Sequence, residues 1–269
     1  TQNNGTLMSI QEALSFPIKT LSSGPTNSMN GACKLVGQNE AIVVDIGGTS
    51  TDIGVVENGF PRYSSLGAEI AGIATNFMLP ELKVLALGGG SMIRKTGHGY
   101  RIGPESVGAR LFEETQAFHG KTLTLFDAGY VLNDSVLEGK HTVELTKAEA
   151  EAVLLCALSV IQQAIHSIFV DKNTPVVYVG GGAKNIPDVL LNERGVRPKY
   201  YEVANAYGAA LAELSHTVDE SILLETEAEE KIRALEQEAM DAVVQKGASR
   251  ETVRVIEKRL LPFYYMSQR

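Results

Sequence analysis

The chain has 269 residues, and its 32 acidic against 24 basic residues give a formal net charge of −8. Apolar residues make up 44% and charged residues 21%, a composition that excludes a disordered or fibrous protein. The acidic balance argues against a nucleic-acid binder, which normally carries a basic surface. Glycine is over-represented, with 26 residues against a usual share of about 7%.

Cysteine and histidine usage predicts neither disulfides nor zinc. Cys33 and Cys156 lie far apart, so we expect no disulfide framework and a cytoplasmic location. The five histidines show no i,i+4 pair and no cysteine companion. The longest apolar stretch, 150–165, is shorter than the roughly 20 residues that span a bilayer. Because the chain starts without Met and ends in an apolar stretch at 262–266, we expect it to be a fragment of a longer polypeptide.

Short β-branched runs separated by glycine turns mark the first part of the chain. Residues 41–45 and 52–57 are predicted strands, and Asn58-Gly59 is a strong hairpin signal before a return strand at 61–65. These segments predict a three-stranded antiparallel meander. A further strand is predicted at 83–87.

The second half alternates helices and strands. Thr146 and Glu149 form a capping box, which predicts a helix to about Phe169 with one buried face. A strand is predicted at 176–179. The later predicted elements are a helix near 185–192, a short strand at 199–203, an Ala-rich helix at 205–214, a long acidic helix at 219–246 closed by Gly247, and a terminal strand around Val253 and Val255.

The strongest motif spans residues 45–52, where an acid closes a buried strand and two glycines precede three hydroxyl residues. Backbone N–H groups in such a turn form an anion-binding concavity, and hydroxyls add donors for phosphate oxygens. An acid at the end of the strand holds Mg²⁺ or orients a water. The candidate residues are Asp45, Gly47, Gly48, Thr49, Ser50 and Thr51. The alternative is an ordinary hairpin with a glycine-rich turn, and for Asp52 we favour a role in stabilising the hairpin.

The second motif follows the strand at 176–179 and consists of Gly180, Gly181, Gly182 and Ala183. Such a turn lets a flat adenine or ribose lie against the backbone, and a following helix adds positive potential. It is neither a Walker A loop nor G-x-G-x-x-G. The alternative interpretation is an ordinary glycine turn that connects a strand to a helix.

A third glycine run and a lone acid complete the candidates. Gly88, Gly89, Gly90 and Ser91, with a second turn at 103–106, are predicted to frame a substrate or phosphate pocket. Asp127 lies in an apolar setting and is either a cleft acid or a helix N-cap. Residues 22–25 are interpreted as a further turn.

In this order, the motifs resemble the hydantoinase A/oxoprolinase family of the actin/Hsp70/hexokinase ATPase superfamily. The matching stretches are 4–9 with 23–25, 45–52, 88–91 with 103–106, and 180–183. The resemblance covers nearly the whole chain. It implies an α/β fold, a ribonuclease-H-like (actin-like ATPase) mixed sheet with flanking helices. It also implies a lead-in segment at 1–40, an ATPase domain at 41–218 with an insertion at about 66–145, and a C-terminal helix–strand extension at 219–269.

The family implies ATP and Mg²⁺ as cofactors and hydrolysis of a small cyclic amide after phosphorylation of its carbonyl oxygen. Because only one Asp-x-Gly-Gly-Thr turn is present, at Asp45, the chain resembles the second half of the family enzyme. The partner it implies is the missing N-terminal half. A second hydantoinase-type subunit and a homo-oligomer remain open, and neither nucleic acid nor membrane is expected. In the implied site, Asp45 is a catalytic residue and the metal ligand, and Asp127 is a weaker catalytic candidate.

Two alternatives stay open: a subunit of an ATP-dependent carboxylase, and a module that binds nucleotide without turnover. One departure bears on the substrate. Many family members carry Asp-x-His before the triple-glycine turn, whereas this chain has Glu81-Leu82-Lys83. Lys83 cannot replace a neutral histidine ligand near pH 7.

Overall fold

A mixed β-sheet lies at the centre of the larger part of the chain. The computed structural model describes residues 1–64, 69–70, 72–74, 77–97, 99–133, 143–168, 170–191, 193–222, 228–258 and 260. The strands within these ranges are β1 (Ala41–Ile46), β2 (Thr51–Glu57), β3 (Phe60–Pro61), β4 (Glu69–Ile70), β5 (Ile73–Ala74), β6 (Leu82–Leu85), β7 (Ser91–Thr96), β8 (Gly99–Ser106), β9 (Val176–Val179) and β10 (Gly195–Val196). The α-helices are α1 (Ile10–Ser15), α2 (Ser23–Val36), α3 (Leu111–Glu114), α4 (Leu125–Asn133), α5 (Lys147–His166), α6 (Ala204–Ala210) and α7 (Ala228–Gln245).

The strand order is β10-β9-β1-β2-β3, with β6 beside the first part of β2. Strands β1, β2 and β3 are antiparallel neighbours, which confirms the predicted meander. Strands β9 and β10 continue the sheet parallel to β1. Three antiparallel strands followed by parallel ones make a ribonuclease-H-like sheet, so the predicted fold class is confirmed. The return strand is shorter than predicted: β3 ends at Pro61, although the Arg62 N–H still donates to the Val55 carbonyl oxygen of β2 at 2.8 Å.

Helices cover both faces of the sheet, because the side chains of β1 alternate between two apolar cores. Ile42, Val44 and Ile46 join the core beneath α5. Ala41 and Val43 face the other core, which α2 and α6 supply. A strand whose two faces are both buried has the continuous apolar sequence seen at 41–44.

Helix α5 begins as predicted. The Thr146 hydroxyl accepts a hydrogen bond from the Glu149 N–H, and the Glu149 carboxylate accepts one from the Thr146 N–H. The helix ends at His166, and the predicted end at Phe169 lies outside the described residues. By length and composition alone it could cross a membrane. Its apolar face, however, packs in the core beneath the sheet, which is the position of a core helix.

Helix α2 replaces the turn that was predicted at 22–25. The helix starts at Ser23, and its first residues, which include Gly24 and Pro25, are polar and typical of a turn, whereas the apolar spacing of a helix begins only at Met29. It crosses α6 at two glycines: a Cβ at Gly31 would overlap the carbonyl oxygen of Ala204, and one at Gly208 would overlap that of Asn27. The two helices therefore pack backbone against backbone.

Three predicted elements are wrong. The helix near 185–192 is replaced by 3₁₀ turns at Ala183–Asn185 and Asp188–Leu190, separated by Pro187, which cannot donate a helical hydrogen bond. The predicted strand at 199–203 contains a 3₁₀ turn, Tyr201–Val203, preceded by Tyr200 in the left-handed conformation. Described residues 253–258 and 260 form no terminal strand.

The contacts divide the chain into two units. The first holds residues 1–5 and 9–212, and the second holds residues 6–8 and 213–269. In the second unit, Leu7 pairs with Leu214, and α7 ends two residues before Gly247, whose φ is +107°. The acidic helix therefore lies in the second unit, with Gly247 just beyond its C-terminal end.

Candidate functional site

Three glycine turns meet at one end of β1. We call residues 47–50 the first turn, residues 88–90 the second turn and residues 180–182 the third turn. The Gly89 and Gly90 N–H groups of the second turn donate to the carbonyl oxygens of Gly47 and Gly48, at 2.9 and 2.6 Å. From the third turn, the Gly182 N–H donates to the Ile46 carbonyl oxygen at 2.8 Å. The structure thus brings together the three motifs that sequence reasoning selected.

Close approach of the three backbones explains why these positions are glycines. A Cβ at Gly88 would lie 2.7 Å from the Thr49 nitrogen and 2.8 Å from the Gly47 carbonyl oxygen. A Cβ at Gly180, whose φ is +87°, would overlap the Asp45 carboxylate. Because the neighbouring atoms are backbone or a confined carboxylate, a larger residue would force the turns apart.

One side of the three turns is open. A Cβ at Gly48 or at Gly181 would find no atom within 4 Å. In the described part of the chain, the N–H groups of Gly48, Thr49, Ser50 and Gly181 donate no hydrogen bond. Unpaired N–H groups beside open space are the donors that an anionic oxygen requires. The first and third turns therefore present a cradle for a ligand with acidic oxygens.

Two carboxylates stand side by side below this cradle. Asp45 ends β1 and is directly opposite Asp52 in the antiparallel ladder. Both are half-buried, and burial raises the pKa of each carboxyl; the charge of Asp45 raises the pKa of Asp52 further. A hydrogen bond from Ser28 opposes the effect of burial on the pKa of Asp45.

The role of Asp52 in stabilising the hairpin stays a prediction, and its position opposite Asp45 weighs against it. Like charges directly opposite each other in a ladder destabilise the pair of strands. The pair of Asp45 and Asp52 therefore lowers the stability of the fold, and local conflicts of this kind are typical of ligand-binding sites. The hairpin pairs Ile46 with Thr51, and the next pair along the ladder is Asp45 with Asp52. The spacing of the two acids around the turn could therefore have indicated this pairing.

Two of the predicted hydroxyl donors instead hold the turns together. The buried Thr51 hydroxyl donates to the Leu87 carbonyl oxygen at 2.6 Å, which joins the residue after the first turn to the residue before the second turn. The buried Ser91 hydroxyl accepts from the Gly88 N–H at 2.9 Å. Thr49 is exposed and Ser50 half-buried, so these two remain placed to reach a ligand.

Asp127 is a structural residue in this fold and not an acid of the cleft. Its side chain is 0% exposed. One carboxylate oxygen accepts from the Ala117 N–H, and the other accepts from the N–H and hydroxyl of Thr124. It occupies the first turn of α4 rather than the N-cap. Its role is to tie the start of α4 to the loop before it.

The turn predicted at 103–106 is also wrong, because these residues lie within β8. Ser91 is the ladder partner of Ser106, so the two segments are neighbours as expected, but as paired strands. Ala183 is buried and begins a 3₁₀ turn instead of a helix. The third turn accordingly has no helix N-terminus directly behind it.

Sequence reasoning missed three residues that support the site. Ser28 on α2 opposes the rise in the pKa of the Asp45 carboxyl, and the Asn205 side chain on α6 donates to the Ser28 hydroxyl at 3.1 Å. The Arg197 guanidinium donates to the carbonyl oxygens of Ala183 and Ile186, at 2.8 and 2.6 Å, and holds the chain that leaves the third turn. No local pattern marks these residues, since their partners are distant in sequence.

The residues that depart from the family pattern are engaged elsewhere. The Glu81 carboxylate accepts from the Arg62 guanidinium at 2.8 Å, and Lys83 lies in β6 opposite Ile53 of β2. Among the described residues, no group of three or more His, Cys, Asp or Glu side chains could hold a metal ion. Any cation bound by Asp45 and Asp52 would therefore have two carboxylates of the described residues as ligands, with no third acidic, His or Cys side chain.

Comparison with known proteins identifies the family of this chain. The sequence model of the family described as Hydantoinase/oxoprolinase matches residues 1–153. Uncharacterized protein C11D3.14c of Schizosaccharomyces pombe (strain 972 / ATCC 24843) is 25% identical over 246 residues. That alignment covers 74% of this chain and 19% of the yeast protein.

Two solved structures share the fold over 91% of this chain. The nucleotide-free structure of acetone carboxylase, which catalyses ATP-dependent acetone carboxylation, has a TM-score of 0.65 at 20% identity. The ATP-dependent caprolactamase from Pseudomonas jessenii has a TM-score of 0.63 at 18% identity. This chain spans 40% and 42% of those two chains, so it corresponds to less than half of each.

Proposed function

Because the chain belongs to the hydantoinase/oxoprolinase family, we propose that it is the ATP-binding half of an ATP-dependent enzyme that hydrolyses cyclic amides. The observation that supports this most is the meeting of three glycine turns around unpaired N–H groups, directly above a pair of carboxylates. Anionic oxygens fit the N–H groups, and a cation fits the carboxylates. A nucleotide triphosphate with its metal ion offers both.

Each turn has its own part in the proposed site. The N–H groups of Gly48, Thr49 and Ser50 bind phosphate oxygens, with the Thr49 and Ser50 hydroxyls as further donors. The adenosine lies along the third turn, where Gly181 leaves the backbone uncovered. The second turn is buried and carries no ligand contact, since its N–H groups at Gly89 and Gly90 are bonded to the first turn.

The acidic pair fits Mg²⁺. Carboxylate oxygens are the ligands that this ion prefers, and it usually takes one or two of them with waters and phosphate oxygens. A divalent cation also offsets the repulsion between Asp45 and Asp52. When bound, Mg²⁺ neutralises charge on the phosphates during phosphoryl transfer. Asp45 and Asp52 orient it, and Asp45 is the residue that we expect turnover to require.

ATP makes a stable ring amide reactive in this scheme. The amide carbonyl oxygen attacks the γ-phosphorus as the bond to ADP breaks, and water then adds to the activated carbonyl carbon. Cleavage of the C–N bond opens the ring and leaves an acyl phosphate, which a second water hydrolyses to the open-chain acid and phosphate. The residues of this chain bind and orient the phosphates, while the rest of the cleft belongs to the other part of a longer polypeptide.

A carboxylase subunit is the second candidate. It is favoured by the similar TM-scores of acetone carboxylase and caprolactamase, 0.65 and 0.63. The site described above suits both reactions, because each begins with transfer of a phosphoryl group to an oxygen atom. A module that binds nucleotide without turnover is the third candidate. The three candidates differ in which substrate, if any, stimulates ATP hydrolysis.

ATP hydrolysis by the natural polypeptide that contains this chain distinguishes these candidates. We expect hydantoins, 5-oxoproline or caprolactam to stimulate release of phosphate and to be opened in equal amount. Stimulation by acetone with bicarbonate, but by no ring amide, would replace this proposal with the carboxylase. If the protein binds ATP but no substrate stimulates its hydrolysis, the result would support the module that binds nucleotide without turnover.

A further inference from the structure

The segment that leaves the third turn carries a buried amide without a hydrogen-bond partner. Asn185 ends the 3₁₀ turn Ala183–Asn185 and is 4% exposed. Its backbone N–H donates to the Gly182 carbonyl oxygen at 3.0 Å, but within the described part of the chain its side-chain amide makes no hydrogen bond. An unpaired buried amide lowers the stability of the fold, and a ligand that bonds to it removes that cost.

The amide of Asn185 lies between the second turn and helix α4. Its nitrogen is 3.3 Å from the place that a Cβ would take at Gly89, the middle residue of the second turn. A Cβ at Gly129 of α4 would overlap the Cα and Cβ of Asn185, so α4 fixes the root of this side chain. The polar side-chain atoms that are both fully enclosed and unpaired, among the described residues, belong to Asn27, Asn30 and Tyr178. The amide of Asn185 therefore keeps contact with the surface.

An aromatic ring adjoins the same turn. The Phe126 N–H donates to the Gly89 carbonyl oxygen at 2.7 Å, which places this half-buried residue beside the second turn. The exposed Lys184, which precedes Asn185, holds its ammonium nitrogen 6.0 Å from the centre of the Phe126 ring. The amide and the ring therefore lie together, where the second turn, the third turn and the start of α4 meet.

An amide beside an aromatic ring suits a nucleobase. A side-chain amide carries a donor and an acceptor side by side, which match the N7 and the 6-amino group of adenine. The face of an aromatic ring stacks on any base. Stacking of a base stabilises more than one exposed cation–π contact does, so the Lys184 ammonium group can give way to a base on the ring of Phe126.

We propose that Asn185 and Phe126 form the subsite for the adenine base of the nucleotide. Asn185 bonds to the N7 and the 6-amino group, and Phe126 stacks on the face of the base. This inference rests on the proposed function, since it concerns the base of the nucleotide whose phosphates lie on the first turn. It makes Asn185 the residue that distinguishes adenine from other bases.

Calorimetric titration of the natural polypeptide with the magnesium complexes of ATP, inosine triphosphate and inorganic tripolyphosphate tests the role of Asn185. Inosine triphosphate carries an oxygen acceptor in place of the 6-amino donor, and tripolyphosphate has no base. For Asn185→Ala we expect about a 10-fold loss of ATP affinity, a preference for ATP over inosine triphosphate that falls to within about twofold, and unchanged tripolyphosphate affinity. Asn173→Ala, which removes an amide from an exposed turn, is the control.

The same titrations of Phe126→Leu test the ring. This variant keeps an apolar side chain but removes the stacking face. We expect about a 10-fold loss of affinity for ATP and for inosine triphosphate alike, and none for tripolyphosphate, because stacking does not distinguish bases. Phe112→Leu makes the same change at a ring that is 70% exposed and contacts Phe118, and it should leave all three affinities unchanged.

The outcomes separate this subsite from the proposed function. Equal losses for all three ligands would show that Asn185 and Phe126 merely support the fold. A preference for ATP that survives Asn185→Ala, or ATP affinity that survives Phe126→Leu, would show that the base lies elsewhere. Each of these results overturns the subsite while the phosphate site on the first turn stands. If the unaltered protein binds neither ATP nor tripolyphosphate, the proposed function fails and the subsite fails with it.

Discussion

Asp45→Asn is expected to lower ATP turnover by at least about 100-fold while leaving the protein slightly more stable. The loss of turnover is of the size seen when one preorganised electrostatic contact to a transition state is removed. The gain in stability follows because Asp45 and Asp52 are opposed in the ladder and repel each other. Relief of such a pair changes the free energy of unfolding by about 0.2–1 kcal/mol.

Turnover and denaturant unfolding should both be measured for this variant. Asp219→Asn is a suitable control, since it removes one charge from an exposed position in the second unit and should change neither quantity. A variant that is less stable than the parent protein would mean that Asp45 is a structural acid. Undiminished turnover would remove Asp45 from the site.

Gly208→Ala is expected to destabilise the protein by about 3 kcal/mol, or to prevent folding altogether. The added methyl group would overlap the carbonyl oxygen of Asn27 on α2. Backbone atoms on both helices would have to move apart, and this moves α2 away from the sheet core that contains Met29 and Ala32. Overpacking at such a contact typically costs about 1–3 kcal/mol, and the backbone position puts this site at the upper end.

Guanidinium unfolding of matched variants measures this effect. Gly97→Ala makes the same chemical change in the turn between β7 and β8, where a Cβ meets no atom within 4 Å. Its free energy of unfolding should stay within about 0.5 kcal/mol of the parent value. Equal stability of the two variants would contradict the close crossing of α2 and α6.

The sheet and the turns could be predicted from the sequence because their signals are local. The run at 41–44 is buried on both faces, so its apolar sequence is continuous, and a strand at 176–179 shows the same signal. The first and third turns follow β1 and β9 directly, and the second turn begins three residues after the end of β6. Each motif alone was ambiguous, and their order along the chain made them informative.

The support around the site could not be predicted because it depends on contacts between distant residues. Helix α2 contains Gly24, Pro25 and Gly31, which are typical of loops, and its stability comes from packing against α6 rather than from helix propensity. Ser28 affects the pKa of Asp45 only because α2 packs against the face of the sheet that contains Ala41 and Val43. The buried position of Asp127 could not be predicted for the same reason, since its partner Ala117 belongs to a short 3₁₀ turn, Gln116–Phe118, that no local pattern reveals.

The open side of the first and third turns is the proposed binding site of the nucleotide. Gly181 is the position to test, because a Cβ there meets no atom within 4 Å and its φ is not left-handed. Gly181→Val therefore adds a side chain without disturbing the fold, but fills the space that the adenosine is proposed to occupy. Gly97→Val adds the same side chain at a distant turn and serves as the control.

Calorimetric titration of Mg–ATP into the natural polypeptide and these two variants is the direct measurement. The unaltered protein and Gly97→Val should bind with the same affinity, and Gly181→Val should bind at least about 10-fold more weakly at an unchanged unfolding temperature. That loss is about 1.4 kcal/mol of binding free energy. Binding that Gly181→Val leaves unchanged, or an unaltered protein that takes up no ATP, would contradict the account.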